Sequence, residues 1–158
     1  MSGILDIETI ILRAEHAAEL SGLLLSAPAE YSKYFIPFAF DHLTVKTVLS
    51  QAQKDRYYGI IIAGKIAGFF MLRGFDQGYK IPAYGVWIAP QHTGNGLAEL
   101  TLKYSMAVCR ASSVDKLMLK VHPENTIAKG LYERNGFVAV GIDENNGNII
   151  YHRILIKT

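Results

Sequence analysis

Apolar residues recur along the chain with two different periods, and the switches between them mark its elements. Residues 8–13 read as a first strand and residues 14–26 as a helix stopped by Ala27-Pro28. An irregular, aromatic-rich stretch follows, carrying Tyr31, Tyr34, Phe35, Phe38 and Phe40 around Pro37. A polar-faced helix is predicted over residues 43–54. Residues 57–63 and 66–73 are strands joined by a tight hairpin at Gly64-Lys65. Residues 82–88, ending in Tyr84-Gly85-Val86-Trp87-Ile88, are apolar and β-prone enough for a buried strand. A long helix comes next, with Leu97, Leu100, Tyr104, Val108 and Ala111 on one apolar face. Residues 116–121 form a strand, and a helix capped by Asn125 follows. Residues 137–141 and 149–156 make a closing hairpin across Asn145-Asn146-Gly147-Asn148. The result is a mixed α/β (α+β) chain of seven strands and about four helices, read as one domain over residues 1–158.

Composition narrows the classes. Half of the residues are hydrophobic and 19% are charged, enough apolar surface for a real core. A formal net charge of +2 argues for neither nucleic acid nor a membrane surface as partner. The single cysteine, Cys109, excludes an internal disulfide and sits in the long helix as a small core residue. His42, His92 and His152 have no spacing that suggests a metal site, so none is expected. The chain starts with acidic rather than basic residues, and apolar runs such as 60–63 and 66–72 are too short to span a bilayer. A cytoplasmic protein is the expectation.

The most informative stretch is Ile88-Ala89-Pro90-Gln91-His92-Thr93-Gly94-Asn95-Gly96-Leu97-Ala98, which links a strand to the long helix. Two glycines ahead of a helix let backbone N–H groups converge where the helix dipole adds positive charge, which suits a phosphate-bearing ligand. A Walker loop is excluded, because Leu97-Ala98 follow Gly96 where Lys-Ser/Thr would be needed. A dinucleotide fingerprint wants a third glycine where Glu99 stands. Asp115 lies about 20 positions on, but ahead of the next apolar run rather than at its end. Taken alone, the loop fits either a phosphate site or a mere tight connection.

A second constellation bears on that choice. Asn125-Thr126-Ile127-Ala128-Lys129-Gly130-Leu131-Tyr132-Glu133-Arg134-Asn135-Gly136-Phe137 follows the strand at 116–121. Asn125 can cap a helix, Ala128 and Tyr132 share a face, and Asn135-Gly136 supply a left-handed stop. The pair of motifs, strand–glycine loop–helix and then strand–Asn-x-x-Ala-x-x-Leu-Tyr–Gly-Phe, resembles the GNAT superfamily of acyl-CoA N-acyltransferases over most of residues 84–140. Either motif alone is weak, whereas both at this separation are specific. The resemblance implies a central, mostly antiparallel seven-stranded sheet flanked by about four helices.

It also implies a chemistry. Acetyl-CoA would lie where the fourth and fifth strands part. Backbone groups of Trp87 and Ile88 would pair with the pantetheine arm, and Thr93, Gly94, Asn95, Gly96, Leu97 and Ala98 would hold the pyrophosphate. Asn125 and Ala128 would border the cofactor, Asn125 also capping its helix. Tyr132 falls at the general-acid position and would protonate the leaving thiolate; otherwise it only packs its ring under the sheet. The acceptor is read as a primary amine on a small molecule, an amino sugar among the options. Tyr31, Tyr34, Phe35, Phe38 and Tyr84 would surround it. The alternative use of those aromatic rings is core packing or a homodimer contact. A protein acetyltransferase and a non-catalytic acyl-CoA-binding module are the rival readings.

The chain departs from the family pattern in three places. Thr93 stands where an arginine or glutamine is usual, Pro82 holds the place of a common glutamate base, and Lys120 stands where an acid often lies. No general base is therefore identified. Asp76, Tyr84 and His42 are candidates, and His122 is a candidate for the acceptor side.

Overall fold

The computed structural model describes residues 3–156. The strands are β1 (Ile7–Ile11), β2 (Arg56–Ile62), β3 (Lys65–Arg73), β4 (Ala83–Ile88), β5 (Lys116–Val121), β6 (Val138–Ile142) and β7 (Ile149–Ile154). The helices are α1 (Ala17–Ser26), α2 (Ala29–Ser32), α3 (His42–Gln51), α4 (Leu97–Ala111) and α5 (Thr126–Arg134). One seven-stranded sheet runs in the order β1-β2-β3-β4-β5-β7-β6. Its neighbours are antiparallel except for β4 and β5, which run parallel.

Alternation along each strand feeds two apolar layers. Leu117, Leu119 and Val121 of β5 join Tyr84 and Ile88 of β4 beneath α4 and α5, with Leu102, Met106, Tyr132 and Tyr151. Phe69, Met71 and Trp87 point to the opposite face, where Leu20 and Leu24 of α1 and Val45 and Leu49 of α3 cover them. Burial pushes the Cys109 thiol in the first layer up to about 11, as befits a packing residue.

Four details differ from the expected elements. First, Ala27 is extended after α1, and Pro28 then opens the single turn of α2 by accepting the N–H of Tyr31 at 2.9 Å. The helices thus number five rather than about four. Second, the β2–β3 turn is Ala63-Gly64, one residue earlier than expected. Both residues have positive φ (51° and 76°), which matches the twist of a two-residue hairpin. Third, the residues of α4 facing the core are Leu97, Thr101, Leu102, Ser105, Met106 and Cys109, while Leu100 is 48% exposed. Thr101 and Ser105 are tolerated inside because their hydroxyls donate to the carbonyls of Ala98 and Thr101. Tyr104 instead lies edge-on to Tyr58 and Phe70 at 5.5 and 5.6 Å. Fourth, residues 14–16 form a 3-10 turn ahead of α1 rather than its first turn.

The end of α5 matches its sequence signal. Gly136 has φ +86°, its N–H bonds the Glu133 carbonyl at 3.1 Å, and the Phe137 N–H reaches back to Tyr132 at 3.0 Å. A Cβ there would also meet Arg153 Nε at 2.6 Å. Tyr151 of β7 donates to Glu133 at 2.8 Å, so this helix is tied to the sheet at its C-terminal end.

Candidate active site

The parallel pair β4–β5 is joined at one position only, Ala83 opposite Met118, with the Met118 N–H on the Pro82 carbonyl at 3.1 Å. Beyond that point the strands part. Which backbone groups of β4 face the gap follows from alternation: the Pro82 carbonyl points toward β5, and the Ala89 N–H bonds Ala67 of β3 at 2.9 Å. Val86 and Ile88 therefore turn their N–H groups into the gap, whereas Trp87 turns toward Phe69 of β3. The Trp87 side chain is likewise elsewhere, buried under α1 and α3 with its indole N–H on Ser32 Oγ at 3.0 Å. Val86, not Trp87, offers backbone to a ligand here. The Ile88 carbonyl is already occupied by the hydroxyl of Tyr31, whose ring stands edge-on to Trp87 at 5.9 Å.

The gap continues past the start of α4. Gly94 and Gly96 have φ of +81° and +79°, and a Cβ on either would meet nothing within 4 Å, so backbone conformation rather than crowding favours glycine there. The first intrahelical bond of α4 is Leu100 N–H to the Gly96 carbonyl at 3.0 Å. The N–H groups of Leu97, Ala98 and Glu99 precede it and have no backbone partner among the described residues, as at any helix start. They border a cleft of about 630 Å³ between α4 and α5, which Thr93, Gly94 and Gly96 also line. Asn95 does not line it. The Thr93 hydroxyl donates to the Pro90 carbonyl at 2.8 Å, serving its own turn. His92 and Arg134 line this cleft and were not singled out from the sequence. The signal for Arg134 was its helical spacing, since Thr126, Gly130 and Arg134 fall on one line of α5.

A second compartment of about 300 Å³ shares Ile88, Thr93, Ala98, Ile127 and Leu131 with the first. Tyr132 forms part of its floor. The phenol is buried yet has no hydrogen-bond partner among the described residues, where every fully buried side-chain nitrogen or oxygen has one. Its hydroxyl therefore meets the compartment's surface. Burial holds its pKa well above the ordinary phenol value, so it carries its proton at neutral pH. Tyr84 stands edge-on to it at 6.3 Å, but the Tyr84 hydroxyl is committed to Thr101 at 2.8 Å. Asn125 accepts the Ala128 N–H at 3.3 Å, and both residues border the compartment.

Tyr31, Tyr34 and Phe35 roof this space. Phe35 lies over Gly85 so closely that a Cβ would meet its ring at 2.5 Å. Tyr34 stacks on His122 at 4.6 Å. Phe38 is not brought in: it packs against Phe69 and Tyr57, with the Arg73 guanidinium over its ring at 5.7 Å. Of the candidate bases, Tyr84 lines the compartment, whereas Asp76 and His42 do not. Asp76 is engaged by the N–H groups of Gln53, Lys54 and Asp55, His42 is exposed at the start of α3, and the Tyr84 hydroxyl is held by α4. Among the described residues no carboxylate lines the compartment. His122 Nδ1 accepts the Glu124 N–H at 3.1 Å, which leaves Nε2 as the protonated nitrogen of its neutral ring.

Splayed parallel strands, a left-handed glycine loop at a helix start and a protonated phenol between them define an acyltransferase cleft. The model of the acetyltransferase (GNAT) family matches residues 23–137, and the chain belongs to that family, as an acyl-CoA-dependent N-acyltransferase. Solved structures share the fold at low identity. The PaiA N-acetyltransferase of Thermoplasma acidophilum in complex with coenzyme A is 14% identical with a TM-score of 0.77, covering 94% of this chain and 99% of that one. The RimL ribosomal L7/L12 α-N-protein acetyltransferase in complex with coenzyme A is 17% identical with a TM-score of 0.78, covering 94% and 93%. The microcin C7 self-immunity acetyltransferase MccE, in complex with acetyl-CoA and AMP, is 19% identical with a TM-score of 0.77, covering 94% and 92%. No match was found among curated proteins. Among the described residues no group of three His, Cys, Asp or Glu is placed to hold a metal ion, and no helix is long and apolar enough to cross a membrane.

Proposed function

We propose that the protein transfers the acetyl group of acetyl-CoA to the primary amine of a small molecule, in the cytoplasm, by direct attack. The observation that carries this reading is the free, protonated hydroxyl of Tyr132, set where the strand gap meets the phosphate-binding loop. The N–H groups of Leu97, Ala98 and Glu99 hold the pyrophosphate, with Arg134 adding positive charge nearby. The Val86 and Ile88 N–H groups pair with the pantetheine arm, and a β4 N–H polarises the thioester carbonyl. The amine nitrogen bonds to the carbonyl carbon, the carbon–sulfur bond breaks, the thiolate takes the Tyr132 proton, and the proton released by the acylated nitrogen returns through water to the Tyr132 oxygen. Holding the two reactants in attack geometry supplies most of the acceleration.

The compartment sets the acceptor's size. About 300 Å³ beneath Tyr31, Tyr34 and Phe35 is at the small end for a ligand site, and it suits a compact amine such as an amino sugar. The stack of Tyr34 on His122 narrows the mouth against an extended peptide. With no carboxylate in the lining, the amine loses its proton to water, which favours acceptors whose amine pKa is near neutral. Thiol release from acetyl-CoA across a panel of small amines, with a peptide amino terminus as competitor, tests the reading. Release with the peptide alone would make the protein a protein acetyltransferase. Acetyl-CoA binding with no turnover on either would leave a binding module.

A further inference from the structure

The face of β5 and β7 opposite α4 and α5 carries Met118, Lys120 and His152, the residues that alternate with Leu117, Leu119 and Tyr151 of the core. Over this face the β3–β4 loop borders a second, solvent-open cavity of about 680 Å³. Its polar lining is Arg73, Lys80, Lys120, His152, Gln77 and Tyr79, and it includes no carboxylate. Lys120 borders both this cavity and the compartment that holds Tyr132, so the two spaces adjoin at that residue. Ala83 and Gly85 continue the same path along β4, one residue in each space.

Charge in this cavity is only partly balanced. Lys120 is paired with Asp143 at 2.8 Å. Arg73 donates to the Pro37 carbonyl, and Asp55 and Asp76, which share a neighbouring pocket with it, take backbone N–H groups from Gly74, Gln53 and Lys54. Lys80 is exposed on the loop and has no ion pair among the described residues. A polycationic amine entering here would meet like charge, whereas an anion would meet two cations, a phenol and a carboxamide.

Building on the acetyl-transfer reading above, we infer that the acceptor is an amine carrying an anionic group, a phosphate or a carboxylate. The anion lies in the cavity between Arg73 and Lys80, and the amine passes Lys120 to reach the space beside His122 and Tyr132. The amine and the anion are therefore carried at opposite ends of one chain, which runs past Lys120 from one space to the other. The opposite charge type, a polyamine, is excluded by the same cations.

Calorimetric titrations on CoA-saturated protein test this with 4-aminobutyl phosphate against 4-aminobutanol, 5-aminopentanoate against 5-aminopentanol, and spermidine. At least one anionic member should bind about tenfold more tightly than its neutral partner, and spermidine most weakly. Comparing the two pairs tells phosphate from carboxylate. Lys80→Ala should remove most of the preference, while Lys46→Ala, on the far helix α3, should keep it. Equal binding within both pairs, tighter binding of spermidine, or a preference that survives Lys80→Ala would overturn the inference. A prior titration with CoA alone separates the two readings: failure there sinks acetyl transfer, and the amine titrations are then read on CoA-free protein. Normal CoA binding without an anion preference sinks only the present inference.

Discussion

Tyr34 stacks on His122 with ring centres 4.6 Å apart and planes inclined by 29°, joining two distant parts of the chain at the compartment that holds Tyr132. The Tyr34 hydroxyl also points to Glu124 Oε2 at 3.4 Å, and the Glu124 N–H holds the imidazole through Nδ1. An aromatic pair of this kind contributes about 0.5–1.5 kcal/mol beyond its area. Tyr34→Ala should therefore raise KM for the amine roughly tenfold and leave acetyl-CoA affinity alone, while Tyr34→Phe should stay within about threefold of the parent. Steady-state kinetics on both variants decides it; an unmoved KM in Tyr34→Ala removes the stack from the acceptor site.

Tyr132→Phe keeps the ring that packs on Tyr84 and Phe137 and deletes only the proton. Loss of one general acid costs about 10²-fold or more. We expect kcat to fall by roughly that factor with Tm and acetyl-CoA affinity unchanged. Turnover equal to the parent's would reduce this residue to a packing role.

At the glycine loop, space and charge can be separated. Asparagine and aspartate both tolerate the left-handed conformation that Gly96 adopts, and neither meets a neighbour there. Gly96→Asn should weaken acetyl-CoA binding by only about threefold, whereas Gly96→Asp, placing a negative charge at a phosphate site, should weaken it by about 10²-fold or more. Equal affinities for the two variants, measured by calorimetry, would move the phosphates away from this loop.

Acid should destabilise the fold through carboxylates held by hydrogen bonds. Asp76 is lowered by the backbone N–H groups of Gln53 and Lys54, Asp143 by the Lys120 side chain, and Asp41, capping α3, by Thr44. Each folded pKa lies below its unfolded value, so the folded state binds fewer protons there. The stabilisation is complete above the unfolded value of about 3.9 and is lost as pH falls through the lower folded values. Melting curves between pH 6 and pH 2.5 should fall steeply below about pH 4, and Asp76→Asn should flatten that limb. A limb of unchanged steepness would assign acid sensitivity to other groups.

Ala63 sits in a turn that wants left-handed backbone, with φ 51°. Such a conformation costs a residue with a Cβ about 1–2 kcal/mol, less for asparagine. Ala63→Asn should stabilise by about 0.5–1 kcal/mol and raise Tm by about 1–4 °C. A lower Tm would mean that the hairpin does not close at this pair.

Much of this architecture was legible before any contact was known. The strand at Lys116–Val121 falls where alternation put it, and the cap at Asn125 and the stop at Gly136 stand as read. Each depends on a short run of residues interacting with its own neighbours. The face of α4 was misread because Thr101 and Ser105 count as polar in a hydropathy pattern, yet satisfy their hydroxyls within the helix and can be buried. Phe38 was assigned to the acceptor by its aromatic type, which says nothing about which way a residue packs, and Trp87 to the cofactor by motif position, which does not fix which neighbour its backbone faces. Asn95, inside the same glycine loop, is exposed and does not line the cleft.

Sequence alone determined the family, the element order, the left-handed glycines and Tyr132 as the candidate acid, since helical period, caps and turns are local properties of the chain. Only the tertiary structure decided that β4 and β5 part after Ala83 and Met118, that Val86 rather than Trp87 faces the gap, and that Tyr132 keeps a free hydroxyl. It alone also brought Arg73, Lys80 and Lys120 around one cavity. Those relations join segments far apart in sequence, and strand pairing, not composition, sets them.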